Sequence, residues 1–475
     1  MSLDPRHEGS TQSAMELGVL VTPGLGDNSY LVASGGEAAV IDPQRDVARL
    51  LTIAESRDEK IRHVLETHVH NDYVSGALEI REATGAEIAA AARGGYEFEH
   101  RPMAEGDEIT VGELALVAME TPGHTPEHLS YLLKEAGSGR PVAVFTGGSL
   151  MVGSAGRTDL LGPELTDELT RAQFRTLHRL ASLSDDVQVL PTHGAGSFCG
   201  AGPAPKKPTS TMGQERIHNR ALAAPDEEAF VRQQLSGLLA YPTYYRYMAQ
   251  INRSGPRLLR DYPRPRGLPP EEVAALMDSG VWAVDARWRV QFARAHIAGS
   301  LNVELNETFG TYAGWVLPFG DPLLLVLPHP VDESLDESVT QLLRVGYERI
   351  EGYLEGGIDA WRAEGRPVSS YRVSGLEELC REYRAGTVGN ILDVRQLTEW
   401  DQGHIPGSQH IFVGDLPVRI GEVPIERDVW AICATGQRAS MAASLLDRAG
   451  RSTRLVEGTG VSDFLAHCGT GGSGR

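Results

Sequence analysis

Hydrophobic and polar positions alternate with two periods in the first half of the chain. "LGVLVT" (17–22), "NSYLVAS" (28–34) and "EAAVIDP" (37–43) carry the two-residue period and β-branched content of successive strands. "VARLLTIAESR" (47–57) carries the helical period, and "IRHVLETH" (61–68) reads as a strand ending at a histidine. A Gly/Pro-rich loop is expected at 200–211, and helices closing a domain at 226–255, before the linker "PRPRGLPP" (263–270). The remainder repeats itself. "VDARWRVQFARAHIAGSLNV" (284–303) matches "LDVRQLTEWDQGHIPGSQHI" (392–411), pairing Asp285 with Asp393, His296 with His404 and Gly299 with Gly407, always 108 residues apart. Both copies read strand, helix, loop, strand, and both end in similar pieces, "EGGIDAW" and "EGTGVSDF". The expected organisation is a tail or tag over 1–16, an α/β domain over 17–260, and two smaller α/β domains over 265–370 and 371–475.

Composition removes several classes of function. The net charge of −20 argues against nucleic acid and anionic membranes as partners. No apolar run approaches the length that crosses a bilayer, and the N-terminal stretch has no apolar core of a secretory signal. Four scattered cysteines, Cys199, Cys380, Cys433 and Cys468, do not make a disulfide framework, and a cytoplasmic location is expected. Of these, Cys199, Cys380 and Cys468 read as incidental, with Cys468 exposed near a Gly-rich tail.

In "LETHVHNDYVSG" (65–76), His68, His70 and Asp72 stand at alternating positions just after an apolar run. "TPGHTPEH" adds His124, "FTGGSLMVGSAGRTDL" follows a strand, and "LPTHGAG" adds His193. Each side chain lies where an apolar run gives way to Gly or Pro, so each is presented at a strand end, where ligands are commonly held. One such histidine is ordinarily structural. Four in one domain, two of them as H-x-H, point to a metal.

The order and flanks of these pieces ("THVH.D", "TPGHT", "GRTDL", "PTHG") resemble the metallo-β-lactamase fold, a four-layer αβ/βα sandwich, and within it the persulfide dioxygenases and glyoxalase II hydrolases. The resemblance covers about 17–256. It implies His68 and His124 as ligands, His70 as a ligand or near neighbour, and Asp72 and His193 as second-site or supporting residues. Arg157, in "GRTDL", orders the loop after the metal strand or meets a substrate carboxylate, with the structural role preferred. Tyr73 is placed beside the substrate. The chain departs from the family pattern twice. Tyr73 replaces the last histidine of H-x-H-x-D-H, which disfavours a binuclear zinc hydrolase. Gly148 replaces the aspartate that would complete a two-histidine, one-carboxylate iron site. Three arrangements follow: His68, His70 and His124 as a three-histidine site; Asp72 or Ser149 shifting in as the oxygen ligand; or a weakly binding, quiet site. One metal is expected, Fe(II) favoured over Zn(II).

In "VWAICATGQRASMAASLLDRAG", a β-run ends at Cys433, a short loop passes Gly436, and a helix begins near Arg438. Loop N–H groups, the helix N-terminus and Arg438 make a positive cradle that favours a thiolate. With "LDVR" and "GHIPGS" upstream, this resembles the rhodanese sulfurtransferases, whose signature is C-x4-R. The resemblance implies Cys433 as the sulfur carrier, Arg438 as its partner and Gly436 as part of the substrate loop. The first copy reads "LLLVLPHP" at the equivalent place and has no cysteine, so it is a rhodanese fold without the nucleophile, expected to pack the other domains together or to shape an access path.

The domain order resembles bacterial persulfide dioxygenase–sulfurtransferase fusions. That implies oxidation of a low-molecular-weight thiol persulfide, such as glutathione or bacillithiol persulfide, in the first domain and sulfane-sulfur transfer through Cys433 in the last, in a homo-oligomer. Two other readings stand beside it: a glyoxalase II-like thioester hydrolase fused to a rhodanese, and a silent first domain that docks thiols or partners for the rhodanese.

Overall fold

The computed structural model describes residues 15–200, 207–236 and 238–468. Residues 1–14 of the tail expected over 1–16 and the 201–206 part of the Gly/Pro loop lie outside the described residues, while Glu16 already belongs to the first strand. Strands Glu16–Thr22, Asp27–Ser34 and Glu37–Ile41, helix Ala48–Ser56 and strand Lys60–Leu65 follow the predicted order. The last of these stops three residues short of His68, so the histidine segment is loop rather than strand end.

Two six-stranded sheets form the first domain. One runs in chain order through its first six strands; the other is built from later strands, with Pro141–Gly147 next to Gln188–Pro191. Alternate residues of the two inner faces meet in a dry layer, with Tyr30, Val32, Leu65, Tyr131 and Phe145 among its fully buried members. The outer face of the first sheet is covered by helices Ala48–Ser56 and Ala77–Thr84 through Leu50, Ala54, Ala77 and Ile80. These are the layers of an αβ/βα sandwich. The histidine loops leave the ends of strands Lys60–Leu65, Leu114–Glu120 and Gln188–Pro191, and converge with the Gly148–Ser149 turn after Pro141–Gly147.

The repeat seen in sequence is a repeat in space. Each copy has a five-stranded parallel sheet with the same strand order. In the first, Gly267–Leu268 leads and Leu301–Asn302 ends; in the second, Arg372–Ser374 leads and Gln409–His410 ends. In both, the aspartate that ends the second strand (Trp282–Asp285, Asn390–Asp393) accepts the fork of the arginine two residues later. Asp285–Arg287 and Asp393–Arg395 have matching closest distances of 2.6 Å. Parallel sheets need both faces covered, and helices supply that cover.

Trp315 of the first copy joins all three units. Its ring packs edge-on against Phe198 of the metal domain at 5.3 Å and against Phe412 of the second copy at 4.7 Å. Arg344 adds a polar tie. Its guanidinium forks onto Asp46 with two 2.7 Å bonds, and its carbonyl accepts the Val74 N–H. The silent copy thus touches the loop that carries the histidines.

Two cysteine expectations are overturned. Cys468 is buried, not exposed, and it lies within bonding distance of Cys380, their Cα atoms 5.5 Å apart. Among the described residues no helix is long and apolar enough to cross a membrane.

Candidate functional site

His68, His124 and His193 come together with their ligand atoms within 4.8 Å of one another. Each has its Nδ1 side committed. His124 Nδ1–H donates to the Arg157 carbonyl at 2.7 Å, and His193 Nδ1 meets Asp27 Oδ1 at 2.8 Å. His68 Nδ1 lies 2.9 Å from Thr67 Oγ1, whose own proton goes to Asp42. All three Nε2 atoms therefore turn inward, an outer-shell arrangement that fixes imidazole tautomers for metal binding.

Among the described residues His124 Nε2 has no hydrogen-bond partner, although the residue is fully buried. His68 and His193 face each other Nε2 to Nε2 at 3.3 Å. Burial, then the charge of His193, pushes His124 down to about 3; burial and the neighbouring imidazoles hold His68 well below its usual range. Burial opposes a charged His193, but Cys199, Asp72 and Asp27 outweigh it and hold that imidazole up. A divalent cation fits that set of converging ring nitrogens.

The trio expected from sequence, His68, His70 and His124, is not the trio that the fold gathers. His70 turns its Nε2 away to Asp42 at 3.2 Å, Glu66 at 3.1 Å and the Tyr73 hydroxyl at 3.0 Å. Burial works against its charge, yet Asp42 and Glu66 push it up to about 10. The His70 ring lies between two buried carboxylates. Its Nδ1, unpartnered, belongs to a second group with Asp72 and His193. Burial opposes the Asp72 carboxylate, and His193 overrides it and holds Asp72 low. The first two groups share His193, whose Nδ1 already serves Asp27 and Asp72, and a third candidate group joins His70 to Asp42 and Glu66.

Tyr73, expected beside the substrate, has its ring and hydroxyl taken up by neighbouring residues. It is fully buried, stacked on His70 at 4.4 Å, with its hydroxyl held by His70 and the Asp42 carbonyl. Arg157 is likewise engaged by groups of the protein. It forks onto Asp159 with two 2.7 Å bonds, reaches the Phe198 and Leu239 carbonyls and lies over the Tyr241 ring. Gly148 is unable to carry a side chain as the loop stands, because His124 fills the space. Ser149 is buried with its hydroxyl unpartnered, so an oxygen donor remains in the loop.

Sequence reasoning passed over two residues. His128 stacks on His68 at 4.9 Å and accepts the Gly148 N–H at 3.0 Å, fixing the loop that lacks the carboxylate. The repeated histidine in "TPGHTPEH" was its signal. Cys199, read as incidental, puts its sulfur 3.5 Å from Asp72 Oδ2, and burial followed by the Asp72 charge pushes its thiol up to about 11.

In the second copy, strand Val429–Ile432 delivers Cys433 to a turn closed by Gly436 at φ +100°, a conformation glycine adopts without strain. The Gly436 N–H points at the Cys433 sulfur, 3.1 Å away, and helix Gln437–Arg448 begins immediately after. Arg438 does not point a free charge at the sulfur. Both its terminal nitrogens go to Glu399, at 2.5 and 2.9 Å.

The fold and these two sites define a metallo-β-lactamase-type domain followed by a silent and a cysteine-bearing rhodanese-like domain. Residues 22–193 match the family model described as the metallo-beta-lactamase superfamily, and 269–364 and 376–466 match the rhodanese-like domain. Two proteins named hydroxyacylglutathione hydrolase, from strains of Cereibacter sphaeroides, are 33% and 30% identical to this chain. The first aligns with 38% of this chain and 67% of its own length, the second with 49% and 88%. A solved metallo-beta-lactamase from Staphylococcus aureus is 29% identical with a TM-score of 0.65, covering 72% of this chain and 99% of its own, so the likeness runs beyond the first domain. The chain belongs to the metallo-beta-lactamase superfamily.

Proposed function

We propose that this protein is an enzyme of low-molecular-weight thiol persulfides, such as glutathione or bacillithiol persulfide. A metal-dependent oxidation takes place in the first domain, and sulfane sulfur is transferred through Cys433 in the last. The observation that carries the reading is the Cys433 sulfur under the Gly436 N–H at a helix start, in the same chain as a buried three-imidazole centre. Fe(II) bound by His68, His124 and His193 would supply open positions at which a sulfur donor and dioxygen meet. One persulfide, one dioxygen and one water would give the thiol, sulfite and two protons.

The chain's own residues define the rest. Asp27, Thr67 and the Arg157 carbonyl hold the three imidazoles in the ligating tautomer. Asp42 and Glu66 keep His70 out of the first coordination sphere, and Tyr73 closes the place of a second-metal histidine. The likeness to hydroxyacylglutathione hydrolases favours a second reading, hydrolysis of glutathione thioesters by a metal-activated water. Tyr73 and Gly148 weigh against it, since both remove donors from a second metal. Metal analysis of anaerobically purified protein, with His68→Ala as control, separates the two. About one iron per chain and oxygen uptake with glutathione persulfide support the first reading. Two zincs and turnover of a 2-hydroxyacyl glutathione thioester would replace it with the second.

A further inference from the structure

The copy that carries Cys433 also carries Cys380 and Cys468, and the silent copy has no cysteine. Cys380 lies in helix Leu376–Ala385, and Cys468 directly follows helix Val461–His467. Both are buried in one apolar cluster with Trp430, Val461 and Phe464. Their Cα atoms are 5.5 Å apart, a separation that a disulfide spans, across 88 residues of chain. In the silent copy the corresponding helices, Pro270–Asp278 and Gly357–Ala363, meet the core through Val273 and Trp361 and hold without a cross-link. The fold itself therefore does not call for the pair.

Helix Val461–His467 also supports the sulfur loop. The Val461 N–H donates to the Cys433 carbonyl at 3.2 Å. One residue earlier, a Cβ on Gly460 would overlap the Ala434 carbonyl oxygen, so backbone lies directly on backbone there. Seven residues are too few for a helix to persist by itself, and this one depends on what holds its ends. At its start Asp463 Oδ2 accepts the Gly460 N–H at 2.9 Å. At its end the Cys468 N–H donates to the Phe464 carbonyl at 2.7 Å, and an exposed bond from Arg384 reaches the His467 carbonyl at 2.9 Å. A bond from Cys468 to Cys380 fixes that end covalently and steadies the contact with Cys433 at the other.

We infer that Cys380 and Cys468 are a redox-active pair oxidised by thiol persulfides, and that their disulfide locks helix Val461–His467 under the Cys433 loop and raises the rate of sulfur transfer. The effect on transfer rests on the reading that Cys433 carries sulfur; the oxidation of the pair does not. Helix ends fray, which gives a small reagent access to the buried sulfurs. One thiolate of the pair attacks the outer sulfur of R–S–SH. A new S–S bond forms, the donor's S–S bond breaks, and the electron pair leaves on RS⁻. The second thiolate then attacks the protein sulfur of that persulfide, and the electron pair leaves on HS⁻. Two protein thiols and R–S–SH thus give the disulfide, RSH and H2S, with the sulfane sulfur as the oxidant. The bond closes a long loop that contains Cys433 and removes open states of that segment.

The test uses the full chain, reduced with dithiothreitol, desalted without oxygen and then treated with glutathione persulfide. Thiols are counted in Cys433→Ser, where no sulfur can load on position 433. Its three thiols are expected to fall to one, with a cross-linked peptide joining 380 to 468. Sulfide release should exceed that of Cys468→Ser. In wild type, oxidation slows hydrogen exchange at the Val461 amide severalfold. With glutathione persulfide and cyanide, over a Cys433→Ser blank, reduced protein starts severalfold slower than oxidised protein and then accelerates. Cys380→Ser and Cys468→Ser stay slow throughout. Three thiols left after persulfide, or a disulfide that dithiothreitol does not open in the folded protein, overturns the redox pair. A disulfide that forms while Val461 exchange and transfer rate stay unchanged is a staple only, and overturns the coupling. Reduced and oxidised wild type decide by themselves if the serine variants fail to fold. Absence of Cys433-dependent transfer in every form sinks the parent reading and the rate effect with it, while the thiol count and exchange still decide the pair.

Discussion

The His124 imidazole occupies the space that a side chain at position 148 needs: a Cβ built on Gly148 would lie 2.7 Å from His124 Nε2, the nitrogen aimed into the metal centre. Gly156 presses the same ring from its other edge, where a Cβ would come 2.9 Å from His124 Nδ1. The missing carboxylate and the placement of His124 are thus two sides of one packing solution.

It follows that Gly148→Asp does not restore a two-histidine, one-carboxylate site. The added side chain displaces His124, at a cost of about 1–3 kcal/mol for overpacking. Bound metal per chain is expected to fall, and the melting temperature with it. Metal content at or above wild type in the variant would show that the ring yields.

His193 and His70 should separate cleanly. His193→Ala removes an Nε2 from the centre and is expected to lower metal content as far as His68→Ala does. His70→Ala leaves those nitrogens in place but strands Asp42 and Glu66, and losing the partner of a buried ion pair costs about 3–5 kcal/mol. Denaturant melts and elemental analysis on both variants read the difference.

Glu399 gives a pH dependence with a defined sign. Burial opposes its charge, but Arg438 outweighs burial and holds the carboxyl below its ordinary range. The pair therefore stabilises the fold above the unfolded carboxyl pKa of about 4.3 and loses that contribution as pH falls through the folded value. Glu399→Gln is expected to melt slightly below wild type at pH 7, by the equivalent of no more than about 1 kcal/mol since Glu399 is a third exposed, and level with it in strong acid. A gap that grows in acid would reverse the assignment.

Cys433→Ser is expected to abolish sulfur transfer while leaving bound metal unchanged, because the sulfur loop and the histidines share no ligand. Trp315→Ala acts on everything at once. Removing a ring packed on Phe198 and Phe412 costs about 3–5 kcal/mol, and limited proteolysis should then cut between the units.

Much of this organisation is legible in the sequence. Period-two and helical patterns place the early elements, the 108-residue repeat predicts two domains of one topology, and the C-x4-R spacing marks the loop that brings Gly436 N–H to Cys433. Local chemistry decides such features, so a local reading recovers them. The histidine trio is different. His70 sits two residues from His68 in the motif, yet Asp42 and Glu66 draw it off, and His193, 125 residues beyond His68, turns in instead. Which nitrogen faces the centre depends on Thr67 beside His68 and on Asp27 and the Arg157 carbonyl, brought there from distant parts of the chain. The same holds for Thr308 and Arg289, which the fold sets against a loop more than 100 residues away. Sequence determined which residue types stand at each strand end. Only tertiary packing, which decides the charges and hydrogen bonds that each side chain meets, settled which of them face one another.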